Sequence, residues 1–173
     1  MKLIKYTLLL LLITSCGTVV NYDYEISTDF TQYKTYNYFD DMKTGLSALD
    51  NKRLIRAIDS KLALMGLTRT DNADFYIDIQ SQEIQNRNNS NVGVGVGGGN
   101  GGGFGGVSVG VPIGSSQNSR EIVIDFVDKR NGEKLFWQAV SESTYKPNSS
   151  PEEREANFVA LIEKILAGYP PKK

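Results

Sequence analysis

Few side chains in this sequence are equipped for chemistry. Histidine is absent from all 173 residues. That removes Ser-His-Asp triads, Cys-His dyads and imidazole zinc ligands. There is one cysteine, Cys16. No internal disulfide can form, and a lone reactive thiol is a liability in an oxidising compartment. Asp71, Asp74 and Asp78 suggest a carboxylate set, yet Asp74 and Asp78 on one strand face would stand about 13 Å apart at roughly 3.3 Å per residue. Asp71 falls in the preceding turn, and no EF-hand spacing is present. These read as solvated strand-edge acids. Asp128 to Glu133 reads as a turn, its glycine serving a hairpin. GxGxxG matches such as Gly93, Gly95 and Gly98 are followed by no helix-forming run before Arg120, as a dinucleotide site requires. The expectation is a protein that is not an enzyme and takes no cofactor or metal.

Cys16 is different, because of where it stands. Met1, Lys2 and Lys5 make a short basic start, and Thr7 to Ile13 is apolar and mostly leucine. These are the parts of a secretory signal. The run is well short of the roughly 20 residues that span a bilayer as a helix. Ile13-Thr14-Ser15-Cys16 resembles the lipobox of bacterial lipoproteins. The resemblance implies a signal peptide over residues 1–15 and diacylglycerol on the Cys16 thiol, followed by cleavage and acylation of the new amine. Several acyl chains hold a protein where one holds it only marginally. No aspartate follows Cys16 to resemble an inner-membrane retention signal. The expected location is the outer membrane, with the domain facing the periplasm.

Residues 16–173 are then one domain by size. The precursor carries a formal charge of −1, and losing Lys2 and Lys5 makes the remainder more acidic. No basic patch points to nucleic acid. The net charge also gives no reason to bind anionic head groups, which leaves anchoring to the acyl chains.

Hydrophobic spacing supplies the elements. Thr18 to Tyr24 reads as a strand with Val20, Tyr22 and Tyr24 on one face, and Lys34 to Phe39 as a second. Ser47 to Met65 is a helix with a stripe of Leu54, Ile58, Leu62 and Met65, widened by Ile55. Asp50, Lys52, Arg53, Arg56 and Asp59 fall largely off that stripe, and Gly66 suits the C-terminal cap. Phe75 to Ile79 alternates as a one-sided strand. A flexible glycine-rich insertion covers about residues 86–119. Glu121 to Asp128 is a strand, Asn131-Gly132 a hairpin turn, and Lys134 to about Thr144 the return strand with Leu135, Trp137 and Ala139 inward. Ser150, Pro151 and Glu153 mark a helix start with a capping box. Phe158, Ile162, Ile165 and Tyr169 form its stripe, with Val159 and Leu166 beside it. The order is β-β-α-β-(Gly-rich loop)-β-β-α. The fold class is α+β, a two-layer sandwich with both helices on one face of a mainly antiparallel sheet.

Several pieces together carry a resemblance: Asn21-Tyr22-Asp23-Tyr24, Asp29-Phe30, Tyr33-Lys34-Thr35-Tyr36, Ala73-Asp74-Phe75, Ile124 to Asp128, Asn131-Gly132, Trp137, and Ile165-Leu166 with Tyr169-Pro170-Pro171. In this order they resemble the bacterial lipoproteins of the domain of unknown function 4136 family. The resemblance supports fold and location and brings no activity.

Within the insertion, Val92, Val94 and Val96, then Val107, Val109 and Val111, alternate with small residues around a glycine-rich centre containing Phe104. One reading is a flexible excursion. The other is a hairpin that extends the neighbouring strands and pairs with another chain or a membrane. Trp137 with Tyr22, Tyr24, Tyr36 and Tyr38 reads as core rather than as a ligand cleft. The expected role is a non-catalytic interaction or structural module of the cell envelope, with a possible envelope protein partner. The alternative is a periplasmic module binding a small apolar ligand or lipid between sheet and helices.

Overall fold

The computed structural model describes residues 18–86 and 117–172. Cys16 and the valines and Phe104 of the insertion lie outside the described residues. The elements are β1 (Val19–Tyr24), β2 (Thr35–Tyr38), α1 (Ala48–Leu64), β3 (Thr68–Arg69), β4 (Phe75–Asn86), β5 (Gln117–Asp128), β6 (Lys134–Thr144) and α2 (Pro151–Leu166), with two short 3₁₀ turns at Phe30–Gln32 and Lys129–Asn131. They form the expected α+β sandwich: one six-stranded sheet, ordered β1-β6-β5-β4-β2-β3, with both helices against it. The pairs β1–β6, β6–β5 and β5–β4 are antiparallel. Only β2 runs parallel to its neighbours, β3 and β4. A parallel neighbour needs a crossover, and α1 supplies it.

Both helix starts follow from sequence. Ser47 caps α1 by accepting from the Asp50 amide at 3.2 Å. Ser150 and Glu153 cap α2 reciprocally, at 3.2 and 3.0 Å, and Pro151 opens the helix. Gly66 takes φ +84° after α1, a left-handed turn that favours glycine. It leads into β3, a two-residue edge strand too short to show a period.

β4 and β5 each run for 12 residues, further than their apolar alternation suggests. The added residues are polar but paired in register, from Tyr76↔Val127 to Asn86↔Gln117. Gln82 donates to Glu121 at 2.7 Å across this extension. The glycine-rich segment therefore joins two directly paired strand ends.

Two inward assignments are corrected. Leu135 is 45% exposed, and Phe136 is buried instead. The cause is a register shift: Phe126 pairs with Trp137 but Val127 pairs with Leu135, so one residue of β6 is skipped. Such a bulge turns its extra side chain to the other face, and Phe136 stacks on Tyr33 with ring centroids 4.0 Å apart. On α2, Val159 is 44% exposed while Leu161 is buried. The helix is rotated so that Phe158, Leu161, Ile162, Ile165 and Leu166 face the sheet.

The core is filled by rings. Tyr33, Tyr36, Phe75, Phe126, Phe136, Trp137 and Tyr169 are all buried and packed against one another. Tyr36 and Tyr38 belong to this core, while Tyr22 and Tyr24 are half-exposed on the edge strand. The face of the sheet away from this core carries Asp78, Gln80, Asp125 and Gln138.

Candidate functional site

The first charged group of α1 is buried. Asp50 stands one turn before Leu54, on the helix face that meets the core, and is 2% exposed. Its Oδ1 accepts from Arg53 Nη1 at 2.9 Å, one turn along α1. Its Oδ2 accepts from Arg154 Nη1 on α2 at 2.8 Å. Arg120 Nη1 of β5 stands 3.9 Å from the same oxygen. A buried carboxylate is expensive unless paired; here three guanidinium groups share it.

Arg120 is itself buried. It occupies the inward position two residues before Ile122, where the β5 alternation calls for an apolar side chain. Nη2 donates to Glu83 of β4 at 2.8 Å. The guanidinium lies over the Tyr145 ring, 3.7 Å from its centroid, a favourable cation–π placement. Its Nε is buried and has no hydrogen-bond partner among the described residues. Arg154 is fixed by the α2 cap and ties down the preceding loop by donating to the carbonyls of Ser149 and Pro147.

These residues line a cleft of 320 Å³ between the ends of β5 and β6, the loop after β6 and the side of α2. That is the lower end of the range for small-molecule sites. Arg120, Lys146, Arg154 and Lys164 line it against one carboxylate, Asp50. Ile122, Phe158 and Leu161 form its apolar wall, and Thr18 stands at its edge. The mild acidity of the chain as a whole thus conceals one concentrated cationic surface. Asp50, expected off the apolar stripe of α1, is instead buried one turn before Leu54, and Arg120 takes an inward position of β5 that its residue type does not suggest.

Asp74 is not a solvated acid. It precedes β4, and its Oδ2 accepts from the amides of Lys34 and Thr35, each at 2.9 Å. Arg130 reaches its Oδ1 at 2.9 Å and also pairs with buried Asp128. Burial pushes the Asp74 carboxyl up, but the two amides, the Thr35 side chain and Arg130 outweigh it and hold the group below its usual range. Tyr33 donates to Asp128 at 3.1 Å. Burial, then that carboxylate, raise the phenol to about 12. The Asp128 turn therefore stitches the β5–β6 connection to the chain before β2 and β4. A similar clip joins α1 to β2: Tyr36 and Tyr38 both donate to Asp59 at 2.8 Å. Asp78 and Asp125 are direct cross-strand partners on the open sheet face. Gln80 donates to Asp78 and Gln138 to Asp125. Among the described residues, no three Asp, Glu, Cys or His side chains converge to hold a metal ion.

The profile of the family described as domain of unknown function (DUF4136) matches residues 20–171. The chain belongs to the DUF4136 family.

Solved structures share the fold. A DUF4136 family protein from Bacteroides thetaiotaomicron superposes with a TM-score of 0.55 at 12% identity, over 90% of this chain and 97% of that one. A PDZ domain protein from Parabacteroides distasonis gives 0.57 at 14% identity, covering 91% of this chain but 37% of that protein. This DUF4136 chain therefore spans little more than a third of that relative's length. A PelC dodecamer from Paraburkholderia phytofirmans gives 0.50 at 10% identity, over 87% of this chain and 96% of that one. No curated protein matches the chain significantly. In this DUF4136 member no helix among the described residues is long and apolar enough to cross a membrane.

Proposed function

We propose that this DUF4136 protein is a bacterial cell-envelope lipoprotein, held by lipid on Cys16 in the outer membrane and facing the periplasm, where it acts as a non-catalytic interaction module. The observation that carries the module reading is the filled core. The space between sheet and helices is taken up by Tyr36, Phe75, Phe126, Trp137 and Tyr169, leaving the functional surface on the outside. This favours contact with a partner over enclosure of an apolar ligand beneath the helices. The anchor reading rests on the leucine-rich leader and Ile13-Thr14-Ser15-Cys16, which stand just before the start of the family match at residue 20.

The valine arms of the insertion are the second candidate contact surface. β4 and β5 stay paired up to Asn86 and Gln117, so the intervening segment leaves the sheet from neighbouring strand ends, about 4.8 Å apart. That is the geometry from which a hairpin carrying Val92, Val94, Val96, Val107, Val109 and Val111 would continue. The test is crosslinking and co-purification of the native protein, with and without residues 91–114, read by native mass. A heterologous partner or a self-assembled ring lost on deletion supports a contact role for the segment. Identical complexes in both forms contradict it.

A further inference from the structure

We propose that the cationic cleft beside α2 binds the phosphate of an anionic phospholipid headgroup in the membrane that carries the anchor. The chemistry of the cleft divides as such a ligand does. Arg120, Lys146, Arg154 and Lys164 line it together with Asp50, Glu83 pairs with Arg120, and Ile122, Phe158 and Leu161 supply an apolar wall. The first set suits a phosphate. The second suits the glycerol carbons and the first methylenes. Arg120 is pre-set for the role: its plane is held by Tyr145 and Glu83, and its buried Nε has no hydrogen-bond partner among the described residues. A buried donor without a partner costs free energy, and a phosphate oxygen accepts well from a guanidinium.

Position selects the membrane as the source of that phosphate. Thr18 lines the cleft, and Cys16 is two residues earlier. Two residues span at most about 7 Å of extended chain. If Cys16 carries lipid, the cleft is tethered at the headgroup layer. The attraction is local, so it operates although the chain's overall charge is acidic.

The proposal shares the anchor geometry but is tested without the anchor, so that the two readings fail separately. Residues 16–173 carrying Cys16→Ser are mixed with phosphatidylglycerol vesicles and with phosphatidylcholine vesicles, and binding is measured by co-sedimentation. Preferential binding to phosphatidylglycerol is expected, weakening with salt. Lys146→Gln with Lys164→Gln should reduce it about thirtyfold, from the usual contribution of basic residues at an anionic surface. Their unfolding curve should match that of the parent. As a second measurement, titration with soluble glycerol phosphate should shift the backbone amide resonances of the cleft residues Tyr145, Lys146, Ser149 and Arg154. Equal binding to both vesicle types, phosphatidylglycerol binding unchanged by the lysine substitutions, or binding of inorganic phosphate without vesicle binding would each overturn the proposal.

Discussion

Arg154 Nη1 lies 2.8 Å from Asp50 Oδ2, and through this contact the first turn of α2 is joined to the first turn of α1. Asp50 is almost wholly buried, and Arg53 and Arg120 depend on it as well. Asp50→Asn keeps the shape but leaves buried guanidinium groups short of a counter-charge. Breaking a buried pair from one side costs about 3 to 5 kcal/mol. A loss near the lower figure is expected, since Arg53 and Arg120 have further carboxylate neighbours in Glu155 and Glu83. Urea unfolding measures it, and a loss below about 0.5 kcal/mol, the range of ordinary surface changes, would show that Asp50 does not organise the cluster.

Tyr169 makes the opposite prediction. Its ring packs edge-on against Phe126 and Trp137, while its hydroxyl is buried with no hydrogen-bond partner among the described residues. Tyr169→Phe keeps the packing and removes the unsatisfied group. Stability should be unchanged or rise by up to about 1 kcal/mol. A clear loss in thermal unfolding would mean that the hydroxyl has a partner, such as an ordered water.

Gly168 closes the molecule against β1. A Cβ there would collide with the ring of Tyr22. That ring cannot easily retreat, because its hydroxyl donates to the Lys164 carbonyl at 2.8 Å and its face meets Trp137. Gly168→Ala should cost about 2 kcal/mol, as overpacked sites do. Faster hydrogen exchange in β1 would localise the effect. Parent-like stability and exchange would show that the edge strand yields freely.

Two groups of side chains set the pH limits. The Asp74 carboxyl is held below its unfolded value of 3.8, so its contribution is complete above that pH and lost as pH falls through the folded value. Asp74→Ala should cost about 2 kcal/mol at neutral pH, as hydrogen bonds to charged groups do. The gap from the parent should close below about pH 3.8. At the alkaline end, burial first, then Asp128, raises Tyr33 from 10.0 to about 12. Burial first, then Asp59, raises Tyr36 and Tyr38 as well, and burial raises Tyr169. Each contribution is complete below pH 10.0 and is lost as pH rises through the folded value, about 12 for Tyr33 and higher still for the other three. The phenolate absorbance of these four rings should therefore appear together with unfolding. Ionisation of these four groups near their ordinary value in the folded protein would contradict the burial.

Much of this architecture is legible in the sequence because local and global signals agree. Ser150, Pro151 and Glu153 mark a helix start that tertiary packing has no reason to override, and β6 covers Lys134–Thr144 as its pattern indicates. The misread positions are those where the periods break. The skipped residue opposite Phe126 and Val127 reverses the facing of Leu135 and Phe136, and nothing local announces it. The later part of β4 and the first residues of β5 are polar, so they carry pairing without alternation. The cleft was hidden by residue type: their charges place Asp50 and Arg120 on the surface by sequence, whereas both are buried. Their burial depends on finding one another across α1, β5 and α2, a long-range pairing that neither segment shows alone.

Where all of this operates turns on the proposed lipid anchor at Cys16. Intact-mass analysis of the protein purified from its native envelope tests it most directly. The account predicts a chain that begins at Cys16 and carries diacylglyceryl and N-acyl mass. A free thiol at Cys16, or a mature chain beginning at another residue, would contradict it.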